Sequence, residues 1–147
     1  MYVPKASLIL LAAFLSACCR DDGHNYDYIS YKYGVCLIVP SQLSVGRVIV
    51  GEDFEHAKLI IDGVDVELMV GGHPDFPIEV LIGGIGARDG FKFIGRRTVG
   101  GVESIMFGHD YGESKGPLFV VFSSIDLAEV ENTLMGDGVV VECDGFG

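Results

Sequence analysis

The chain has 147 residues, of which 49% are apolar, 21 are acidic and 10 are basic, so its formal net charge is −11. This length is that of one domain with its own core. The apolar fraction excludes a disordered chain, because there is enough surface to bury to offset the entropy of ordering. The acidic balance argues against nucleic-acid binding, which needs clustered Lys and Arg on the phosphate backbone. The 21 glycines and the absence of tryptophan favour many turns and short elements.

Residues 1–17 have the layout of a secretory signal peptide. Lys5 is followed by an apolar run from Leu8 to Leu15, and small residues come next. The run is too short to cross about 30 Å of hydrocarbon as a helix, which takes about 20 residues. The alternatives are an ordinary secreted protein cleaved near Ala17 and an N-terminal buried helix.

The segment Leu15-Ser16-Ala17-Cys18 resembles the bacterial lipobox, in which the cysteine is acylated and the preceding peptide is removed. The resemblance implies that Cys18 is the mature N-terminus and carries several acyl chains, palmitate among them, which hold the protein on a membrane almost irreversibly. In such lipoproteins an Asp after the cysteine favours the inner membrane. Cys19 stands there, so the resemblance implies the outer membrane, facing the periplasm.

The next segment, residues 18–34, is polar and contains four tyrosines. We expect it to be the lipidated N-terminus and a tether that leads into a single domain over residues 35–147. Removing residues 1–17 removes Lys5 and no acid, which makes the net charge one unit more negative. Such a charge keeps the domain soluble and would attract a basic partner, in the envelope or as a toxin.

Cys36 and Cys143 both lie in apolar runs, in a compartment that permits disulfides. A bridge between them would close most of the domain. Two buried free thiols and a Cys19–Cys143 pair are the alternatives. Because no CxxC and no four-ligand Cys/His spacing occurs, the sequence predicts no structural zinc site, and it indicates no cofactor.

The rest of the sequence predicts strands separated by turns. Alternating apolar residues over Val64–Val70 are typical of a strand with one buried face, and Asp62-Gly63 before it is a two-residue hairpin signal. Strands are predicted in chain order at Val35–Val39, Val45–Val50, Phe54–Ile61, Val64–Val70, Ile78–Ile82, Phe91–Ile94, Val102–Phe107, Leu118–Phe122 and Val139–Cys143.

One helix is predicted near the C-terminus. Ser124 or Asp126 can cap it, and Gly136 ends it. Apolar residues recur in it at helical spacing: Ile125, Leu127, Val130 and Leu134. The predicted fold class is therefore α+β, with an antiparallel sheet of about seven strands and one C-terminal helix.

Two local motifs are less generic. Gly51-Glu52-Asp53-Phe54 begins the predicted hairpin, and His73-Pro74-Asp75-Phe76-Pro77 ends it. In this spacing the chain resembles small proteobacterial envelope lipoproteins of unassigned function over roughly residues 35–80, with Gly72 where those proteins tend to carry Asn. The resemblance transfers no activity. We take Glu52, Asp53, His73, Asp75 and Phe76 as candidate partner-binding residues.

Motifs for catalysis are weak. The glycine-rich segment 83–90 fails as a nucleotide loop, since Asp89 stands where the third glycine is needed and no helix follows. His73 with Asp75, and His109 with Asp110, could each be half of a metal or acid–base site. We therefore expect no enzyme but a non-catalytic binding or inhibitor/immunity-type lipoprotein. The alternative is a structural or assembly lipoprotein of an envelope complex.

Overall fold

The computed structural model describes residues 25–73 and 90–143. Several predictions fall outside these residues: the signal peptide, lipidation at Cys18, the strand at Ile78–Ile82, and the partner-binding residues Asp75 and Phe76. In the described part of the chain, no helix is both long and apolar enough to cross a membrane.

The described residues form nine strands and one helix, which confirms the α+β class. The expected number of about seven strands is too low. Three of the nine strands, β1, β2 and β9, have only three residues, and the sequence did not predict β1. In chain order the elements are β1 (Tyr28–Ser30), β2 (Val35–Leu37), β3 (Leu43–Val50), β4 (Phe54–Ile61), β5 (Val64–Gly71), β6 (Lys92–Val99), β7 (Val102–Asp110), β8 (Pro117–Ser124), α1 (Leu127–Leu134) and β9 (Val140–Glu142).

Six strands form one antiparallel sheet in the order β3-β4-β5-β8-β7-β6. Asp62 and Gly63 turn the β4–β5 hairpin with φ angles of 49° and 81°, as the two-residue turn requires. In β5 the alternation predicted from the sequence is confirmed, since its even-numbered residues from Val64 to Val70 are buried. The outermost strands of this sheet are β3 and β6.

The other three strands form a small sheet in the order β1-β2-β9, again antiparallel. Together with α1 it covers one face of the six-stranded sheet, and their apolar side chains make one core. Because Tyr28 and Ser30 of β1 are buried in it, the structured domain begins before residue 35. The sequence places residues 28–30 in the tether, and in the structure these residues form a strand because they pair with β2.

The helix α1 buries Leu127, Val130 and Leu134, as its spacing predicted. Ile125 was expected on the same face but is 74% exposed, because it precedes the helix in a turn. Asp126 is the N-cap residue without a side-chain cap bond. Its backbone N–H instead donates to the Ser124 hydroxyl at 3.1 Å.

A disulfide joins Cys36 in β2 to Cys143, directly after β9, with 5.1 Å between the two Cα atoms. The Cys36–Cys143 pairing is thus confirmed over the Cys19 alternative and over two free thiols. Both cysteines are buried among core residues. The bond closes a sequence separation of 107 residues, so it links the first half of the small sheet to the last strand of the chain.

We predict that Cys36→Ala combined with Cys143→Ala lowers the free energy of unfolding by about 4–5 kcal/mol, because the unfolded chain regains the entropy of a loop of this length. Urea denaturation of the oxidised protein and of the double variant measures the difference. Cys19→Ala is the matched control and should leave stability unchanged. If the double variant were as stable as Cys19→Ala, a structural role for the disulfide would be contradicted.

Candidate functional site

The turn between β3 and β4, residues Gly51–Phe54, is called the acidic turn here. Phe54 pairs with Gly71 across the β4–β5 ladder, which places the acidic turn beside the end of β5. A Cβ on Gly71 would lie 2.8 Å from the Asp53 carbonyl oxygen, a distance that only glycine tolerates. The structure therefore brings Glu52 and Asp53 to the same end of the sheet as His73, and all three are exposed.

Lys32 lies in the segment after β1 and binds the acidic turn through hydrogen bonds. Its Nζ donates to the carbonyl oxygens of Gly51 and Glu52, and it lies 5.4 Å from the ring centroid of Tyr33. The positive charge of the Lys32 ammonium group thus stabilises two backbone carbonyl oxygens of the acidic turn. The side chains of Glu52 and Asp53 stay exposed to solvent.

Glu55, the second residue of β4, has a different environment. It is only 4% exposed, and its Oε1 and Oε2 accept hydrogen bonds from the Tyr28 hydroxyl and, at 2.9 Å, from the Ser30 hydroxyl. Among the described residues, no basic side chain forms an ion pair with it. A buried carboxylate is costly unless it is paired and hydrogen-bonded. Here it holds β1 against β4 through two hydroxyl donors.

The environment of Glu55 also affects Tyr28. Burial raises the pKa of the Tyr28 hydroxyl well above its ordinary value, and the hydrogen bond to Glu55 and the negative charge of that carboxylate raise the pKa further. Tyr28 therefore stays protonated at physiological pH. It acts as a permanent hydrogen-bond donor to the carboxylate.

Beside Glu55 lies an open groove of about 630 Å³, which we call the β1–β3 groove. It runs between the segment around β1 and the edge strand β3. Tyrosine rings form one wall, valines of β3 form the other, and Glu55 is among the lining residues. The main lining side chains are Tyr26, Tyr28, Tyr31, Val48, Val50 and Glu55.

The strand β3 is outermost in its sheet and is exposed from Ser44 to Val50, whereas Leu43 at its start is half-buried. Val48 and Val50 face the groove and are 43% and 58% exposed, while Ile49 on the opposite face is 41% exposed. A register shift between Val45 and Val48 interrupts its pairing with β4. Beyond this bulge, Val48–Val50 pairs with β4 without interruption and forms an apolar edge. Long exposed edges with apolar side chains are typical of surfaces that bind another chain.

A second cleft of about 430 Å³ lies next to Cys143, lined by Lys32, Tyr33, Tyr111, Lys115 and Glu142 among others. Burial, followed by a hydrogen bond to Glu142 and the charge of that carboxylate, raises the pKa of Tyr111 well above its ordinary value. Tyr33 lines the same cleft, and burial together with the charges of Asp53 and Glu55 raises its pKa.

The hypothesis of an acid–base pair of His109 with Asp110 finds no geometric support. His109 is buried, its Nδ1 lies 3.0 Å from the Gly90 carbonyl oxygen and its Nε2 lies 3.5 Å from Glu142 Oε1. Asp110 instead accepts the backbone N–H of Gly112 at 2.9 Å. In residues 25–73 and 90–143, no group of three or more His, Cys, Asp or Glu side chains is arranged to hold a metal ion.

The outer face of the six-stranded sheet carries a third concavity, of about 340 Å³. Its polar side chains contact each other: His56 Nε2 lies 3.5 Å from Glu67 Oε2, and the Ser104 and Ser123 hydroxyl oxygens are 2.7 Å apart. Because these groups satisfy one another, the outer face makes a weaker case for ligand binding than the groove beside Glu55.

No protein-family model matches this chain, and it is similar to no curated protein and no solved structure. Its function must therefore be inferred from the geometry and charge of its own residues. Of the residues singled out by sequence, Glu52 and Asp53 lie directly after the exposed edge β3, and His73 lies two residues after the end of β5, whose last residue pairs with Phe54.

The sequence did not point to the β1–β3 groove, because its tyrosines stand in a segment that reads as a polar tether. The signal available was the density of tyrosines there, at positions 26, 28, 31 and 33. Glu55 was also missed, since nothing in a strand with the pattern of β4 marks one carboxylate as buried.

We predict that the free energy of unfolding falls as the pH rises above about 10. The raised pKa values of Tyr28 and Tyr111 mean that the folded state holds these protons more tightly than the unfolded chain. The stability that these two protonated hydroxyl groups contribute is fully present below the ordinary tyrosine pKa of 10.0. It is lost as the pH rises from there towards the raised pKa. Urea denaturation at several pH values between about 9 and 11 measures it.

In that experiment Tyr28→Phe should reduce the pH dependence, because one of the two titrating hydroxyl groups is gone and only that of Tyr111 remains. Tyr31→Phe is the control, since Tyr31 is 72% exposed. A Tyr28→Phe variant with the slope of the unaltered protein would contradict the buried hydroxyl–carboxylate contact.

Proposed function

We propose that this chain is a membrane-tethered periplasmic lipoprotein that acts as a non-catalytic binding module, of the inhibitor or immunity type, for a basic protein. The observation that carries the proposal is the exposed strand β3, which has apolar side chains on both faces and leads directly into the acidic turn. Apolar surface supplies affinity, and the adjacent carboxylates select the charge of the partner.

Charge complementarity supports a basic partner. The net charge of −11 becomes one unit more negative when residues 1–17 are removed. Asp27, Glu52, Asp53 and Glu55 all lie around the groove or in the acidic turn beside it. An acidic field of this kind speeds the association of a basic protein and makes the complex sensitive to salt.

The geometry of β3 favours a partner that adds an extended segment to the sheet. Such a segment would take its main-chain hydrogen bonds from the outer edge of Val48–Val50. Its alternate side chains would enter the β1–β3 groove and contact the outer face near Ile49. The bulge before Val48 limits the length of this pairing.

The lipid anchor is the second part of the proposal. Acylation of Cys18 would hold the domain on the outer membrane through several acyl chains, facing the periplasm. The acidic domain would be held off anionic lipid by its charge, so that β3 stays accessible to a soluble partner.

We expect a photo-crosslinker placed at Val50 in cells to capture a basic protein, and the same residue at Val99 to capture none. Val99 is the control because it is 53% exposed on the opposite edge strand β6. Mass spectrometry identifies the product. Glu52→Gln with Asp53→Asn should lower its yield about tenfold, since less negative charge slows association. Equal amounts of cross-linked product at Val50 and Val99 would overturn the proposal. Capture of an acidic protein would overturn it as well.

The same experiment with Cys18→Ala, processed to the soluble form, tests the alternative of an envelope assembly protein. A binding module captures its partner with or without the anchor. Capture that requires the anchor would instead favour the assembly role.

Acylation itself has a direct test. Growth with an alkyne analogue of palmitate should label the protein, and Cys18→Ser should abolish the label, because the acylated sulfur is removed. Cys19→Ser is the matched control and should keep the label. Label that survives Cys18→Ser would contradict the lipobox interpretation.

A further inference from the structure

The β1–β3 groove contains an acidic group for which residues 25–73 and 90–143 supply no cationic partner. Glu55 is 4% exposed, lines the groove, and is bound only by the hydroxyl groups of Tyr28 and Ser30 within the described residues. Each carboxylate oxygen can accept two hydrogen bonds. Each accepts one from these hydroxyl groups, so both oxygens keep room for a further donor.

The walls of the groove suit a long cationic side chain. Val48 and Val50 offer apolar contact for methylene groups. Tyrosine rings line the opposite wall, and a guanidinium group stacks on aromatic faces and binds both oxygens of a carboxylate. A lysine would gain less from this arrangement, because its ammonium group is a compact point charge.

Among the described residues that line the groove, the basic side chain is Lys32, and it is bound elsewhere. Lys32 donates to the carbonyl oxygens of Gly51 and Glu52. Of the other charged groups there, Asp27 accepts the backbone N–H of Val39 at 2.7 Å. The charge that faces an incoming side chain beside Glu55 is therefore predominantly negative.

We propose that the β1–β3 groove is a recognition pocket for an arginine side chain of the partner protein, with Glu55 as the residue that binds the guanidinium group. This proposal rests on the proposed function and names the residue that determines which side chain of the partner is recognised. When the partner's segment lies along β3, a side chain opposite Val50 enters the groove, because Val50 and Glu55 are direct cross-strand neighbours on one face.

The test uses the full chain in mild detergent and two small probes, N-acetyl-arginine methylamide and N-acetyl-citrulline methylamide. The probes have nearly the same shape and differ in charge. Titration followed by NMR should show arginine binding at least about tenfold tighter than citrulline, with shifts at Val48–Val50 and Tyr28. Glu55→Gln should remove the preference, whereas Glu67→Gln, an exposed carboxylate on the outer face, should keep it.

Because Glu55→Gln could disturb folding, a second pair of variants leaves Glu55 intact. Val50→Lys places an ammonium group opposite Glu55 and should block arginine binding. Ile49→Lys adds the same charge on the opposite face of β3 and should not block it. The unchanged dispersion of the NMR spectrum shows that each variant is folded.

Equal affinity for the two probes would overturn the pocket, and so would a preference that survives both Glu55→Gln and Val50→Lys. A preference lost only in Glu52→Gln with Asp53→Asn would assign arginine binding to the acidic turn and also overturn it. These outcomes are separate from the cross-linking result. A partner captured at Val50 whose yield is unaffected by Glu55→Gln refutes the arginine pocket alone, while an arginine preference without any captured partner refutes the proposed function.

Discussion

The rest of the structure depends on how one apolar face of a six-stranded sheet is covered. The cover is a three-stranded sheet and a single two-turn helix, and the Cys36–Cys143 disulfide joins the two halves of that small sheet. This cover does not reach the edge strand β3 beyond Leu43. The valines of β3 on the core-facing side therefore remain half-exposed, and the space between them and β1 becomes the groove. The same constraint that builds the core thus leaves the surface to which we assign binding.

Glu55 lies where the cover ends. Its side chain is therefore almost fully buried, but it still lines the groove. The hydroxyl groups of Tyr28 and Ser30 hold β1 against β4 through this carboxylate. A structural role and a binding role are compatible here, because each oxygen keeps an acceptor site after accepting one hydroxyl. In a chain with net charge −11, the buried Glu55 carboxyl group extends the acidic surface into an apolar groove. This combination favours affinity and charge selection at the same place.

The predictable parts of the fold were those with a strong local period. The alternation of β5, the Asp62-Gly63 turn and the buried face of α1 follow from residue spacing alone. Strands of three residues such as β1 have no period to detect, so the sequence predicts a tether over this polar, tyrosine-rich segment. Of the candidate site, Glu52 and Asp53 could be found because they stand in a turn motif. Glu55 could not, since only the packing of β1 over β4 buries it.

The sequence by itself determined the fold class, the disulfide candidates and the acidic character of the surface, because composition, apolar runs and turn residues act locally along the chain. Its first residues also predict a lipid anchor. The tertiary structure alone decided which strand is left at the edge and which side chains face the groove. Strand order and the reach of the small sheet depend on contacts between residues far apart in sequence, such as Tyr28 with Glu55 and Cys36 with Cys143, and no local pattern encodes these.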